Sequence, residues 1–419
     1  MRRRGMFWLQ LFKSAHPRVY AVIDRCLVLF VLLPCIVSFW AGLWMLLDLH
    51  LYPNDVPLSA WLCVAGGSIV MILFNFIQFE LTARFLEPRF SFRNIVVKRL
   101  YTLVAAGANV FFCRGLWMVQ DYYFGITTPS ATFSFVFGAS FLVILRASCN
   151  GISSPLGTAF DEHKSFFLIQ TRFRATADRP LFLLADSVFS VAVVGALVIF
   201  EWRGLWVLLD LNLYPGKPTE SILWCLSVGY LICIGVDVFQ NQAAAVSAFL
   251  QEKRYWWLRL AFEDAFLIMA KMGVIAVWRG IWMFCDIVVA NRDGPDQEAR
   301  VWIPILVGYF TSTLLLHGNS LFVLEVVVDG GMTEGEGCRV DITMLEHYLK
   351  LWHSTRKPSG NTDGYVRNGK SSPMIVQKPE ETIIESTDSG IDVDAAKENH
   401  IPFDNFDKRS YMLDDILVC

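Results

Sequence analysis

Arginine, glycine, tryptophan and aspartate recur together four times in this chain at one spacing. The copies are Trp40-Ala41-Gly42-Leu43-Trp44 with Asp48; Cys113-Arg114-Gly115-Leu116-Trp117 with Asp121; Trp202-Arg203-Gly204-Leu205-Trp206 with Asp210; and Trp278-Arg279-Gly280-Ile281-Trp282 with Asp286. The shared pattern is Arg-Gly-[Leu/Ile]-Trp-x-x-x-Asp, with Ala41 in the arginine's place in the first copy. Seven residues separate arginine from aspartate. On a helix that is about two turns, so the two share a face roughly 10 Å apart along the axis.

Each copy ends an apolar segment. That puts Arg114, Arg203 and Arg279 inside the hydrocarbon and Asp48, Asp121, Asp210 and Asp286 at an extracellular rim. An intramembrane arginine is costly and is expected to face the bundle, paired or wetted. Gly42, Gly115, Gly204 and Gly280 permit close helix contact. Trp44, Trp117, Trp206 and Trp282 suit the headgroup interface, where an apolar ring meets a polar N–H. Further ionisable groups fall in apolar segments: Glu201, Asp237, Lys271 and His317. Glu201 precedes Arg203 by two residues, so it points away from it and toward another helix. Arg114, Arg203, Lys271 and Arg279 against Glu201 and Asp237 leave an excess of two positive charges if all are ionised. Two chemistries fit. One is an anion or substrate path lined by basic residues, with the aspartates at its mouth. The other is a structural clasp, in which tryptophan fixes depth, glycine packs helices and arginine bonds carbonyls or a neighbouring carboxylate.

The elements that position the motif follow from composition. Of 419 residues, 54% are hydrophobic, and mean hydropathy is +0.44. Charged residues make up 18%, against about 25% in soluble domains. Spanning a bilayer takes about 20 apolar residues. Eight stretches qualify: 26–47, 58–79, 100–120, 127–145, 187–209, 220–241, 265–285 and 301–324. The N-terminus and the even loops carry nineteen Lys and Arg residues; the odd loops carry only Lys217, Arg292 and Arg300. This bias places both termini in the cytosol. The basic start Met1-Arg2-Arg3-Arg4 precedes an apolar run long enough to span, which reads as a retained signal anchor.

The chain is duplicated. Gly42 and Gly204 are 162 residues apart, and Gly115 and Gly280 are 165 apart. Asp24 aligns with Asp186, and Gln78 with Gln240, at the 162-residue offset. The expected fold is therefore an all-α polytopic membrane protein, with eight transmembrane helices as two parallel four-helix repeats. Its parts are a cytosolic N-terminus (1–25), a first repeat (26–145), a cytosolic linker (146–186), a second repeat (187–324) and a cytosolic, mostly disordered tail (325–419). Four spans return the chain to the same side, so the repeat axis lies along the membrane normal. A pseudo-fourfold ring is compatible with the spacing but not required by it.

The rest of the chain narrows the chemistry. Ten cysteines form no Cys-x-x-Cys, and most read as small buried hydrophobes. His163 beside Asp161 and Glu162 has no second histidine at ligand spacing, so no metal is expected. No phosphate loop, His-Glu-x-x-His or nucleophile elbow occurs, so neither enzyme chemistry nor a cofactor is expected. No basic aromatic platform for nucleic acid is present either. Lys253-Arg254-Tyr255-Trp256-Trp257 suits the inner interface. The stretch Leu345–Trp352 reads as an amphipathic helix on the membrane. Farther on, Asp388-Ser389-Gly390 resembles the core of a phosphodegron, and Leu417-Val418-Cys419 could add to a PDZ-type groove.

With Arg114-Gly115-Leu116-Trp117, Trp202-Arg203-Gly204-Leu205-Trp206 and Trp278-Arg279-Gly280-Ile281-Trp282 in eight-span order, the chain resembles the fuseless family of invertebrate neuronal membrane proteins. The resemblance covers roughly residues 20–325. It implies a presynaptic plasma-membrane protein that supports voltage-gated calcium channels, and so transmitter release. The partners it implies are the lipid bilayer, presynaptic ion channels, and cytosolic scaffold proteins reached through the tail. The rival expectation is a transporter or channel for a small solute, an anion among the candidates, with Arg114, Arg203 and Arg279 on its path. A conduit requires a continuous polar cavity; an organiser requires a packed bundle whose charges pair.

Overall fold

The computed structural model describes residues 2–85, 92–161, 166–289, 296–322, 326–329 and 336–354. They form eleven helices and a few short 3-10 turns. These are α1 (Arg2–Ala15), α2 (Pro17–His50), α3 (Val56–Phe85), α4 (Phe92–Phe124), α5 (Thr128–Ile144), α6 (Pro180–Asn212), α7 (Pro218–Glu252), α8 (Trp256–Phe284), α9 (Gln297–Arg300), α10 (Trp302–Leu314) and α11 (Leu345–Ser354). A π turn, Cys285–Val289, continues α8.

Five of them, α2, α3, α4, α6 and α7, are long and apolar enough to cross a membrane. The stretches expected at 127–145 and 301–324 form shorter helices of 17 and 13 residues. At 1.5 Å per residue both fall short of a hydrocarbon core about 30 Å thick. Each ends in the same way. The residue after its last turn is left-handed, Arg146 at φ 52° and Leu316 at φ 54°, and a 3-10 turn follows, Ser148–Gly151 and Gly318–Leu321. Helix starts carry the expected punctuation. Pro180 and Pro218 open α6 and α7, where the missing N–H costs nothing. Thr127 caps α5 through its hydroxyl.

Positions 162 residues apart share local geometry. The two Leu-Tyr-Pro sequences after α2 and α6 place Tyr52 and Tyr214 at φ 49° and 53°. Both helices contain a π turn at matched positions, Val28–Leu32 and Phe189–Gly195.

The four motif-bearing helices touch in a closed order: α2 meets α4, α4 meets α6, α6 meets α8 and α8 meets α2. Each takes an outer partner, and these pairs make the most extensive contacts in the chain. They are α3 on α4, α5 on α6, α7 on α8 and α10 on α2. An inner helix thus packs on the outer helix that precedes it in sequence, and α2, which has none before it, takes the last. Residues 26–145 and 187–324 therefore interlock, because each lends an outer helix to the other.

Glycine sets the approach within every pair. A Cβ on Gly115 would lie 2.5 Å from the Val64 nitrogen, and one on Gly204 would lie 2.3 Å from that of Phe135. The outer helices reciprocate with Gly67, Gly138, Gly229 and Gly308, which sit against Phe112, Glu201, Val277 and Phe39. Each of those four contacts lies three residues before a motif glycine. In lipid there is little hydrophobic drive between helices, so this backbone approach and its dispersion contacts hold the pairs together.

Packing continues past residue 325. Asp329 accepts hydrogen bonds from the Ser148 and Cys149 amides, and α11 buries Leu349 and Trp352. The tail readings at Asp388-Ser389-Gly390 and Leu417–Cys419 lie outside the described residues, as does His163.

Candidate functional site

The motif residues assemble at one end of the bundle, across helices rather than along them. Arg114 Nε donates to Asp48 at 2.9 Å, Arg203 Nε to Asp121 at 2.9 Å and Arg279 Nε to Asp210 at 2.7 Å. Each arginine is held by the aspartate of the preceding copy. The arginines are 1%, 0% and 2% exposed.

The other guanidinium nitrogens turn outward to the paired helix. Arg114 Nη1 meets Ser59 Oγ and Cys63 Sγ at 3.1 and 3.3 Å. Arg279 Nη1 meets Ser221 Oγ and Cys225 Sγ at 2.8 and 3.0 Å. Arg203 Nη1 donates to Ser130 and Ser134, and its Nη2 to the Gly125 carbonyl at 2.7 Å. Sequence reasoning missed these acceptors. The signal was present in Ser59 and Ser221, and in Cys63 and Cys225, which share the 162-residue offset.

The first copy, with Ala41, lacks more than the guanidinium. Aligning the outer helices on the residues that meet the motif glycines (Val64, Phe135, Leu226 and Ile305) puts Arg300 and Pro304 where the other pairs carry Ser and Ser or Cys. The arginine and both its outer acceptors are replaced together.

The other charges that fall in apolar segments of the sequence are also paired. Lys271 Nζ is 2.7 Å from Glu201 on the neighbouring inner helix and donates to Ser148 Oγ at 2.9 Å. Asp237 is bonded by Arg25 and by Gln240. The excess of two positive charges is thus absent: four cations meet four carboxylates, three of them the aspartates assigned to the rim. His317 lies past the end of α10, with Nδ1 2.7 Å from the Leu315 carbonyl.

The four motif tryptophans meet one another. Trp44–Trp117, Trp117–Trp206, Trp206–Trp282 and Trp282–Trp44 have centroids 5.8, 5.7, 5.6 and 5.4 Å apart at interplanar angles of 88°, 89°, 86° and 85°. This is a closed ring of edge-to-face contacts, the arrangement that aromatic quadrupoles favour. The motif tryptophans thus pack on one another as well as ending their apolar segments.

One turn deeper, Trp40 and Trp202 both meet Trp278 at 5.7 and 5.3 Å, and Cys113 stands at the fourth position. These indoles donate to loop carbonyls: Trp40 to Leu321, Trp202 to Gly151 and Trp278 to Ser154, at 2.7 to 2.9 Å. The loops after α5 and α10 thereby form the floor of the bundle.

Paired carboxylates and amides fasten those loops. Asp186 accepts from the Phe173 and Ala175 amides, each at 3.0 Å, while Asp24 accepts from those of Met344 and Leu345 at 2.7 and 2.6 Å. Gln78 and Gln240 accept from Ile169 and Val340 at 2.6 and 3.0 Å. Asp161 joins this floor through Arg99 at 2.8 Å and the Asn319 amide at 2.9 Å. Burial still pushes its carboxyl above the usual range, against the hydrogen bonds and charge of Arg99.

Among these elements lies a cavity of about 510 Å³. Its walls include Trp40, Trp202, Trp278, Phe74 and Phe112. Among the described residues its lining includes Asp121, Asp210 and Asp286 but no Lys, Arg or His, so none of the three motif arginines faces it. No cluster of three or more His, Cys, Asp or Glu residues that could hold a metal occurs among the described residues.

A protein-family model described as Fuseless matches residues 19–324, which takes in every copy of the motif. No curated protein and no solved structure matches the chain.

Proposed function

Because this chain belongs to the Fuseless family, we propose that it is a non-enzymatic, multi-pass membrane protein supporting the organisation of presynaptic voltage-gated calcium channels, and through them neurotransmitter release. Under this reading it lies in the presynaptic plasma membrane with eight spans and both termini in the cytosol. Its partners are the channels and cytosolic scaffold proteins that the tail would engage.

The observation that carries the reading beyond family membership is the complete pairing of the motif arginines. A conduit for anions needs basic groups facing a path. Here the guanidinium groups face away from the cavity, into outer helices that satisfy them. That arrangement favours a rigid bundle presenting outer surfaces and loops to partners.

Presynaptic calcium current and evoked release in neurons lacking the protein test the proposal. Both are expected to fall and to return with the wild-type chain. Normal calcium entry and release without the protein would overturn it. Reconstitution into liposomes addresses the rival: chloride or phosphate flux above that of empty liposomes would favour a conduit.

A further inference from the structure

The second motif copy departs from the others at two positions on one helix face. Two residues before the motif glycine, copies one, three and four carry Trp40, Trp202 and Trp278, whereas copy two carries Cys113. Six residues before the glycine they carry Ile36, Val198 and Val274, whereas copy two carries Asn109. Positions 109 and 113 are one helical turn apart, so both changes open onto the same side of α4.

Both residues line the cavity, and so does Asn75 on the neighbouring α3. Asn75 is 2% exposed, and its side-chain oxygen has no hydrogen-bond partner. Asn109 is 7% exposed. The counterpart of Asn75 in the other half, Asp237, is by contrast held by Arg25 and Gln240. Buried amides are normally satisfied, and an Asn75 oxygen left open beside a cavity that Asn109 also lines calls for a partner.

We propose that this cavity binds an uncharged, largely apolar amphiphile carrying a hydroxyl or carbonyl group, drawn from the membrane. Its apolar body lies against Trp40, Trp202, Trp278 and Phe112, and its polar group bonds Asn75 and Asn109. The volume of about 510 Å³ is in the range of small-molecule sites. The described lining holds Asp121, Asp210 and Asp286 and no Lys, Arg or His, which disfavours an anionic headgroup, and Asp121 and Asp210 are already paired with Arg203 and Arg279. Sterols and monoacylglycerols share the required chemistry.

The test is equilibrium binding of tritiated cholesterol, and separately of tritiated monooleoylglycerol, to the purified full-length protein in detergent micelles, with tritiated oleate as the anionic control. At least one uncharged probe binds saturably and about tenfold or more tighter than oleate. Cys113→Trp fills the chamber and Asn109→Val removes one amide. Each restores the residue type of the other copies, so each keeps the unfolding temperature of the wild type while weakening binding about tenfold or more. The probe that binds identifies the source. The proposal is overturned if neither uncharged probe binds saturably, if oleate binds equally well, or if both folded variants bind like the wild type.

Discussion

A buried guanidinium is stable only where its five N–H groups find acceptors. Arg203 finds them in Asp121, Ser130, Ser134 and the Gly125 carbonyl, all outside its own helix. Removing one partner of a buried pair strands the other, so Arg203→Ala is expected to cost about 3–5 kcal/mol in reversible unfolding in detergent. A double-mutant cycle gives the sharper outcome. Arg203 couples strongly to Asp121 and within about 0.5 kcal/mol of zero to Asp210, its own copy's aspartate. Glycine at the helix contacts gives a second outcome. Gly204→Ala drives a Cβ into the Phe135 backbone and is expected to cost about 1–3 kcal/mol. Gly66→Ala, with nothing within 4 Å, serves as the control and shifts the unfolding temperature little.

The motif and its glycines were legible in the sequence because spacing fixes which residues share a helix face. The partners of the arginines were not. Within one copy arginine and aspartate are two turns apart and cannot touch, and nothing in a single helix says which neighbour brings the next carboxylate. The same limit hid the tryptophan ring. Interfacial tryptophan and mutually packed tryptophan have one sequence signature, and only the closed order of α2, α4, α6 and α8 separates them.

Among the elements, the repeating unit is an outer helix followed by an inner one, and the last outer helix closes on the first inner helix. The offsets of 162 and 165 residues revealed the duplication but not that pairing, since offset carries no information about contact. The stretch Leu345–Trp352, read from its amphipathicity as a membrane-surface helix, forms α11 and buries Leu349 and Trp352 against the protein. Asp24 anchors its start, accepting from three successive amides, Met344 to Glu346. Asp24→Ala should therefore free α11 at a cost of about 0.5–2 kcal/mol, as for a lost helix cap. Amide hydrogen exchange of residues 345–352 reads this directly. Exchange is expected to quicken there and to stay unchanged in α4, which Asp24 does not touch. Equal protection in variant and wild type would show that the apolar contacts of Leu349 and Trp352 suffice alone.

For the whole molecule, the charge bias predicts that loops holding Lys217 and Arg292 face outside while both ends of the chain face the cytosol. Epitope tags inserted after Gly216 and at the C-terminus check it in intact cells. Antibody reaches the first without permeabilisation and the second only after it. The interlocked pairs predict a further whole-molecule property: residues 26–145 expressed without 187–324 leave α2 without α10 and do not form a stable bundle.

We propose that this bundle maintains calcium channels at release sites rather than carrying a solute. The most direct measurement counts voltage-gated calcium channels at the presynaptic membrane, at equal total channel expression, in neurons with and without the protein. The account predicts fewer channels at release sites without it, restored by the wild-type chain. An unchanged channel count would contradict it.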